Sequence, residues 1–93
     1  MTTKHTPGPW IKAKYKVRTA GGDLIAHTRP TGEGSSDDEA NARLIAAAPE
    51  MLAALRKAAV VLAGACTHAP ELEPHATYDS VSAAIAKATG CAA

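Results

Sequence analysis

Cys66 and His68 stand two residues apart, with His75 and Cys91 farther along the chain. Four thiol and imidazole ligands can close a zinc site. Their spacing here matches no closed zinc module, so no metal is expected. Cys66 with His68 or His75 is also the sole nucleophile–base pairing by residue type. No acid lies at a spacing that would orient the imidazole, and no oxyanion-hole signature accompanies it. The glycine-bearing stretches "TGEG" and "AGGD" lack the phosphate-loop pattern and its strand–loop–helix setting, and no HExxH occurs. The expectation is a protein that is not an enzyme and carries no cofactor.

Binding offers more. In "WIKAKYKVR", residues 10–18, Lys12, Lys14, Lys16 and Arg18 alternate with Ile11, Ala13, Tyr15 and Val17. On one continuous strand the four cations share a face and span ~20 Å at a rise of ~3.3 Å per residue. Such a line suits phosphates or an acidic protein surface. It equally suits a solvated face on which lysines keep a strand edge from aggregating. A second candidate surface is apolar: Val60, Val61 and Leu62 make the helix around them hydrophobic on more than one side, and such a helix needs a cover. A self-partner or a target protein would supply it.

The elements that must position these residues follow from periodicity. Residues 1–9, with two prolines, read as a flexible arm. Period-two alternation predicts a strand from Trp10 to Arg18, a turn at Gly21-Gly22 and a returning strand "LIAHT", a hairpin over 10–28. "RPTGEGSSDDE" reads as a loop ending in the N-cap candidates Ser35, Ser36 and Asp37, with Asp38 and Glu39 in the first helical turn. A helical segment over 37–65 follows. Leu44, Ala48, Met51, Leu55, Ala58, Leu62 and Ala65 mark its seam at alternating separations of four and three residues. Pro49 interrupts it. A proline in a helix interior costs about 3 kcal/mol, whereas one opening a new helix costs almost nothing. Two readings stay open: one kinked helix, or two helices with a short break and Pro49 starting the second. Gly64 and Thr67 mark the stop, and "THAPELEPHA" is a connection. Thr77 caps a last helix over 77–89, in which Tyr78, Val81, Ile85 and Ala88 share a face and Gly90 follows the C-terminus.

The whole is therefore expected to be one small α+β domain, 1–93: an antiparallel hairpin packed on a long Pro-kinked helix plus a short C-terminal helix. With 93 residues, 46% of them hydrophobic but no Phe and one Trp, large core side chains are few. Small domains short of core often oligomerise, so a homodimer or larger assembly is expected. The net charge of +1 selects no partner. The longest uninterrupted apolar run, Ala58–Cys66, is about half the ~20 residues that a bilayer span requires, and no signal peptide is read. The expectation is a cytosolic protein without a membrane partner.

Two motifs, "HTPGPW" at 5–10 and "EANARLIAAAPEMLAAL" at 39–55, together resemble a widespread group of small phage and prophage proteins. That group shares an HTPGPW-type opening, a hairpin containing "IA" and then "ANARLIAAAPELL". The match covers residues 5–57. The resemblance implies a bacteriophage or mobile-element origin and the host bacterial cytoplasm as the place of action. Small phage proteins of this type often act on host defence by stoichiometric binding, anti-CRISPR proteins among them, and sponges for nucleotide signals are a second type. The expected function is inhibition of a host defence complex, with Lys12, Lys14, Lys16 and Arg18 as the contact line. The alternative is binding of a nucleic acid or cyclic-nucleotide signal on the same face. No residue matches a motif of a named inhibitor family, so no site residue follows from the resemblance.

Overall fold

A computed structural model describes residues 5–28 and 36–90. It is α+β, with three strands, β1 (Trp10–Ala13), β2 (Lys16–Thr19) and β3 (Leu24–His27), followed by the helices α1 (Ser36–Ala46), α2 (Ala48–His68) and α3 (His75–Thr89). The strands form an antiparallel meander in the order β1-β2-β3. Two compact units result, Thr6–Met51 and one that begins at Leu52.

The expected strand over 10–18 is in fact two strands and a turn. Lys14 has φ +57°, and a two-residue connection, Lys14-Tyr15, folds β2 back so that Ala13 pairs with Lys16 and Lys12 with Val17. Only one residue of Gly21-Gly22 takes a positive φ, Gly22 at +95°. The Gly22 N–H donates to Thr19 O at 3.0 Å and the Thr19 N–H to Asp23 O at 2.8 Å, which closes the second turn. β3 carries an irregularity: Val17 pairs with Ala26, but Arg18 pairs with Leu24, leaving Ile25 as the extra residue of a bulge.

Helix α1 lies across all three strands. Val17 of β2 and Ala42 of α1 are fully buried and form the centre of this unit. Ala42 with the half-buried Glu39, Ile45 and Ala46 makes the packed helix face, while Leu44, expected in the seam, is exposed. Thr28 ties the end of β3 to both neighbours. Its N–H donates to Tyr15 O at 2.8 Å, and its hydroxyl lies 2.8 Å from Asp38 O and 3.0 Å from Tyr15 O. Of the N-cap candidates, Ser35 lies outside the described residues.

At Pro49 the chain breaks and does not merely kink. The Ala47 N–H still donates to Arg43 O, and Ala47 O already accepts from the Met51 N–H at 2.9 Å. Pro49 thus sits in the first turn of α2, where the missing N–H is one of those that a helix start leaves without a partner. A seam drawn through Ala47 presumes a single helix. Within α2 the seam holds at Ala48, Leu55, Ala58, Leu62 and Ala65, all half-buried, with Leu52 buried beside them; Leu44 and Met51, one on each side of the break, are the exposed departures.

In the second unit α2 continues through Gly64 to His68, farther than expected, and a 3₁₀ turn at Pro70–Leu72 leads to α3. α3 begins before Thr77, because Pro74 is already in the αR region at φ −77° and ψ −9° and its carbonyl accepts the Tyr78 N–H at 2.8 Å. Thr77 is therefore inside the first turn and caps nothing. Gly90 adopts φ +75° after the C-terminus as expected. The less exposed face of α3 is Tyr78, Val81, Ser82, Ile85, Ala86 and Thr89, and Ala88 is outside it. By length and composition α2, with 21 residues, is apolar enough to cross a membrane. The expectation of no such segment rested on the run Ala58–Cys66 alone and is corrected by the turns that Ala48–Lys57 add.

Candidate functional site

The turn at Lys14-Tyr15 decides where every cation of the hairpin goes. Residues directly opposite in an antiparallel pair point to the same face of a sheet. Reversing the chain at a two-residue turn therefore swaps the parity of the alternation. Trp10, Lys12, Val17, Thr19 and Ala26 fall on the face that α1 covers; Ile11, Ala13, Lys16, Arg18, Leu24 and His27 fall on the other.

The expected line of four cations is accordingly divided. Lys12 belongs to the covered face, where its Nζ donates to Glu39 Oε1 of α1 at 3.3 Å. Lys14 stands at the turn. Lys16 and Arg18 alone share the open face. There they occupy the central strand, each between neighbours on both edges: Arg18 between Ile11 and Leu24, Lys16 between Ala13 and His27. Ile11 is 50% exposed and Leu24 54%, so two aliphatic side chains stand in water beside a guanidinium. Arg18 Nη1 donates to Gly22 O at 3.0 Å, which holds one edge of the fork and leaves the remaining N–H groups available. None of the twelve strand residues is acidic.

Lys14 adds an energetic observation. A left-handed backbone costs a non-glycine residue of order 1–2 kcal/mol, and a two-residue hairpin would take glycine or asparagine there more readily. Ala13, Lys14, Tyr15 and Lys16 line a shallow open depression at this corner of the sheet. The sequence signalled the cations but not Ile11 and Leu24 beside them. Their exposure follows from the turn and the bulge, which periodicity does not report.

The other candidates lie elsewhere. Cys66 is half-buried on α2, His68 ends that helix and His75 opens α3; Cys91 lies outside the described residues. Among the described residues no group of three or more His, Cys, Asp and Glu side chains could hold a metal ion. Val60 and Val61 are 74% and 71% exposed, and Leu62 is half-buried.

The two motifs that carry the resemblance meet within the first unit. A Cβ added to Gly8 of "HTPGPW" would come within 2.9 Å of Pro49 Cβ and 3.2 Å of its Cγ, so the Gly8 backbone rests on the Pro49 ring of "AAAPE". Trp10 Nε1 donates to Thr6 O at 3.1 Å, closing the same segment. Thr6 and Gly8, within the expected arm, thus have partners in this unit; residues 1–4 are outside the described ones. The motif residues build a latch between the chain before β1 and the start of α2, a structural role distinct from the open face.

These features define a small α+β protein, a three-stranded meander with one face under a helix and the other, cationic and aliphatic, in solvent. A family model described as Salmonella phage P22 protein Y8K6 matches residues 1–92, and the chain belongs to that phage protein family. The match extends the resemblance, read from residues 5–57, through α3. No curated protein and no solved structure matched the chain.

Proposed function

We propose that the protein is a non-enzymatic phage accessory protein that inhibits a host defence complex, in the manner of an anti-CRISPR protein, by stoichiometric binding through the open face of its sheet. The observation that carries this reading is Lys14. A left-handed lysine at a tight turn lowers stability, so a side chain kept there at that cost is better explained by what it contacts than by folding. Lys16, Arg18, Ile11 and Leu24 extend the same surface, with the two cations on the central strand and an aliphatic side chain on either edge, and arginine among apolar side chains is a combination enriched at protein interfaces. Membership of a phage family supports a host bacterial cytoplasm as the setting.

Affinity purification of the intact protein from a host bacterium tests this. A host protein complex should co-elute in fixed ratio, and Lys16→Glu with Arg18→Glu should release it while the fold persists. Retention by that variant would remove the open face as the binding surface.

A nucleic acid or nucleotide signal is the second reading, favoured by the depression beside Lys14, Tyr15 and Lys16. If Lys14, Lys16 and Arg18 all met phosphates, log K against log salt would fall with a slope of about −2 to −3. Self-association is part of the proposal as well. Val60 and Val61 project from a helix with few large buried side chains around it, and a second copy would cover them. Val60→Glu with Val61→Glu should then lower the mass seen by sedimentation to that of one chain.

A further inference from the structure

We infer that the open face receives an acidic amphipathic helix of the partner protein, laid along β2 with carboxylates one helical turn apart on Lys16 and Arg18. This deepens the reading of that face as a binding surface and rests on it.

The molecule already shows such a fit on its covered face. There α1, whose first turn carries Asp37, Asp38 and Glu39, lies across the same strands with Glu39 on Lys12 and Ala42 in the core with Val17. The open face offers matching chemistry, with cations on the central strand and aliphatic side chains to either side. Its spacing selects the occupant. Lys16 and Arg18, two residues apart on one strand, are about 6.7 Å apart along it. Carboxylates at i and i+4 of a helix are separated by about 6 Å of rise and face the same way. A helix over β2 would set its apolar residues on both sides of that acidic pair, against Ile11 and Ala13 on one edge and Leu24 on the other. Nucleic acid fits less well: its phosphates would leave Ile11 and Leu24 undried, and His27 at the end of β3 is the one ring that the strands place on the open face for a base to stack on.

The test uses the full chain and three probes: a helix-forming peptide of about 16 residues, some four turns, with Glu at i and i+4 flanked by leucines; its isomer with the two Glu at i and i+2; and a short DNA duplex. Backbone amide shifts of Ile11, Lys16, Arg18 and Leu24 report binding. The i, i+4 peptide should move these four and bind about tenfold more tightly than its isomer, the effect of two exposed charge pairs. Lys16→Glu and Arg18→Glu, made separately, should each weaken it. Equal binding of the isomer, tighter binding of the duplex at these residues, or no shift with either peptide overturns the inference. If the peptides fail while Arg18→Glu still releases a host complex, the open face stands as the binding surface and only the helical partner is wrong.

Discussion

The two faces of the meander are made from the same strands and similar residue types, yet one is structural and the other is free. On the covered face Val17 is fully buried and Lys12 is engaged by Glu39. On the open face Ile11 and Leu24 are about half exposed and Lys16 has no ion pair among the described residues. What separates them is the turn at Lys14, which assigns odd and even positions to opposite sides on β1 and β2. The difference teaches that cations in an alternating strand have no common role by parity alone. Lys12 supports the fold, and Lys16 and Arg18 are available for recognition.

The contrast is strongest in stability. Val17→Ala removes side-chain volume from a site without solvent and should cost about 2–3 kcal/mol, read from the urea midpoint. Ile11→Ala on the other side should stay within about 0.5 kcal/mol. Equal losses would mean that the open face is covered in solution.

A comparable but smaller loss is expected at the latch. Gly8→Ala forces a methyl group against Pro49 and should cost about 1–3 kcal/mol. With Pro49→Gly, which removes both the Cβ and the Cγ that the added methyl meets, the double variant should lose less than the sum of the two single losses. Additive losses in the double variant would show that the two motifs do not support each other.

Lys14→Gly should move stability in the opposite direction, raising it by about 0.5–1 kcal/mol as the left-handed strain is relieved, while capture of the host complex weakens. A gain in stability with capture intact would make Lys14 a turn residue and nothing more. The smallest effect belongs to the exposed edge of the covered face. A double-mutant cycle on Lys12 and Glu39 should give a coupling of about 0.5–1 kcal/mol that shrinks with added salt.

Much of this was legible in the residues. The helices announced themselves by apolar periodicity, by the acidic first turn of α1 and by Gly90; at Pro49 the orphan N–H groups of a first turn made a helix start one of two open readings, and the break between α1 and α2 decides between them. The β character of residues 10–28 was legible too, but its division was not. Lys-Tyr is no usual turn dipeptide, and alternation runs through it unbroken because a two-residue turn preserves the count while exchanging the faces. The bulge at Ile25 is silent for the same reason, since it lies in pairing and not in composition. The meeting of Gly8 with Pro49 is a contact between distant segments, which no local pattern encodes. The open face was therefore seen as a row of four cations, when it is two cations with aliphatic neighbours and a strained lysine at its corner.

Capture of host proteins by the intact chain, compared with its Lys16→Glu, Arg18→Glu double variant at matched folding, bears most directly on the open face as the place of recognition. A complex retained by the native chain and lost by the variant is the predicted result. Undiminished recovery with both charges reversed contradicts it.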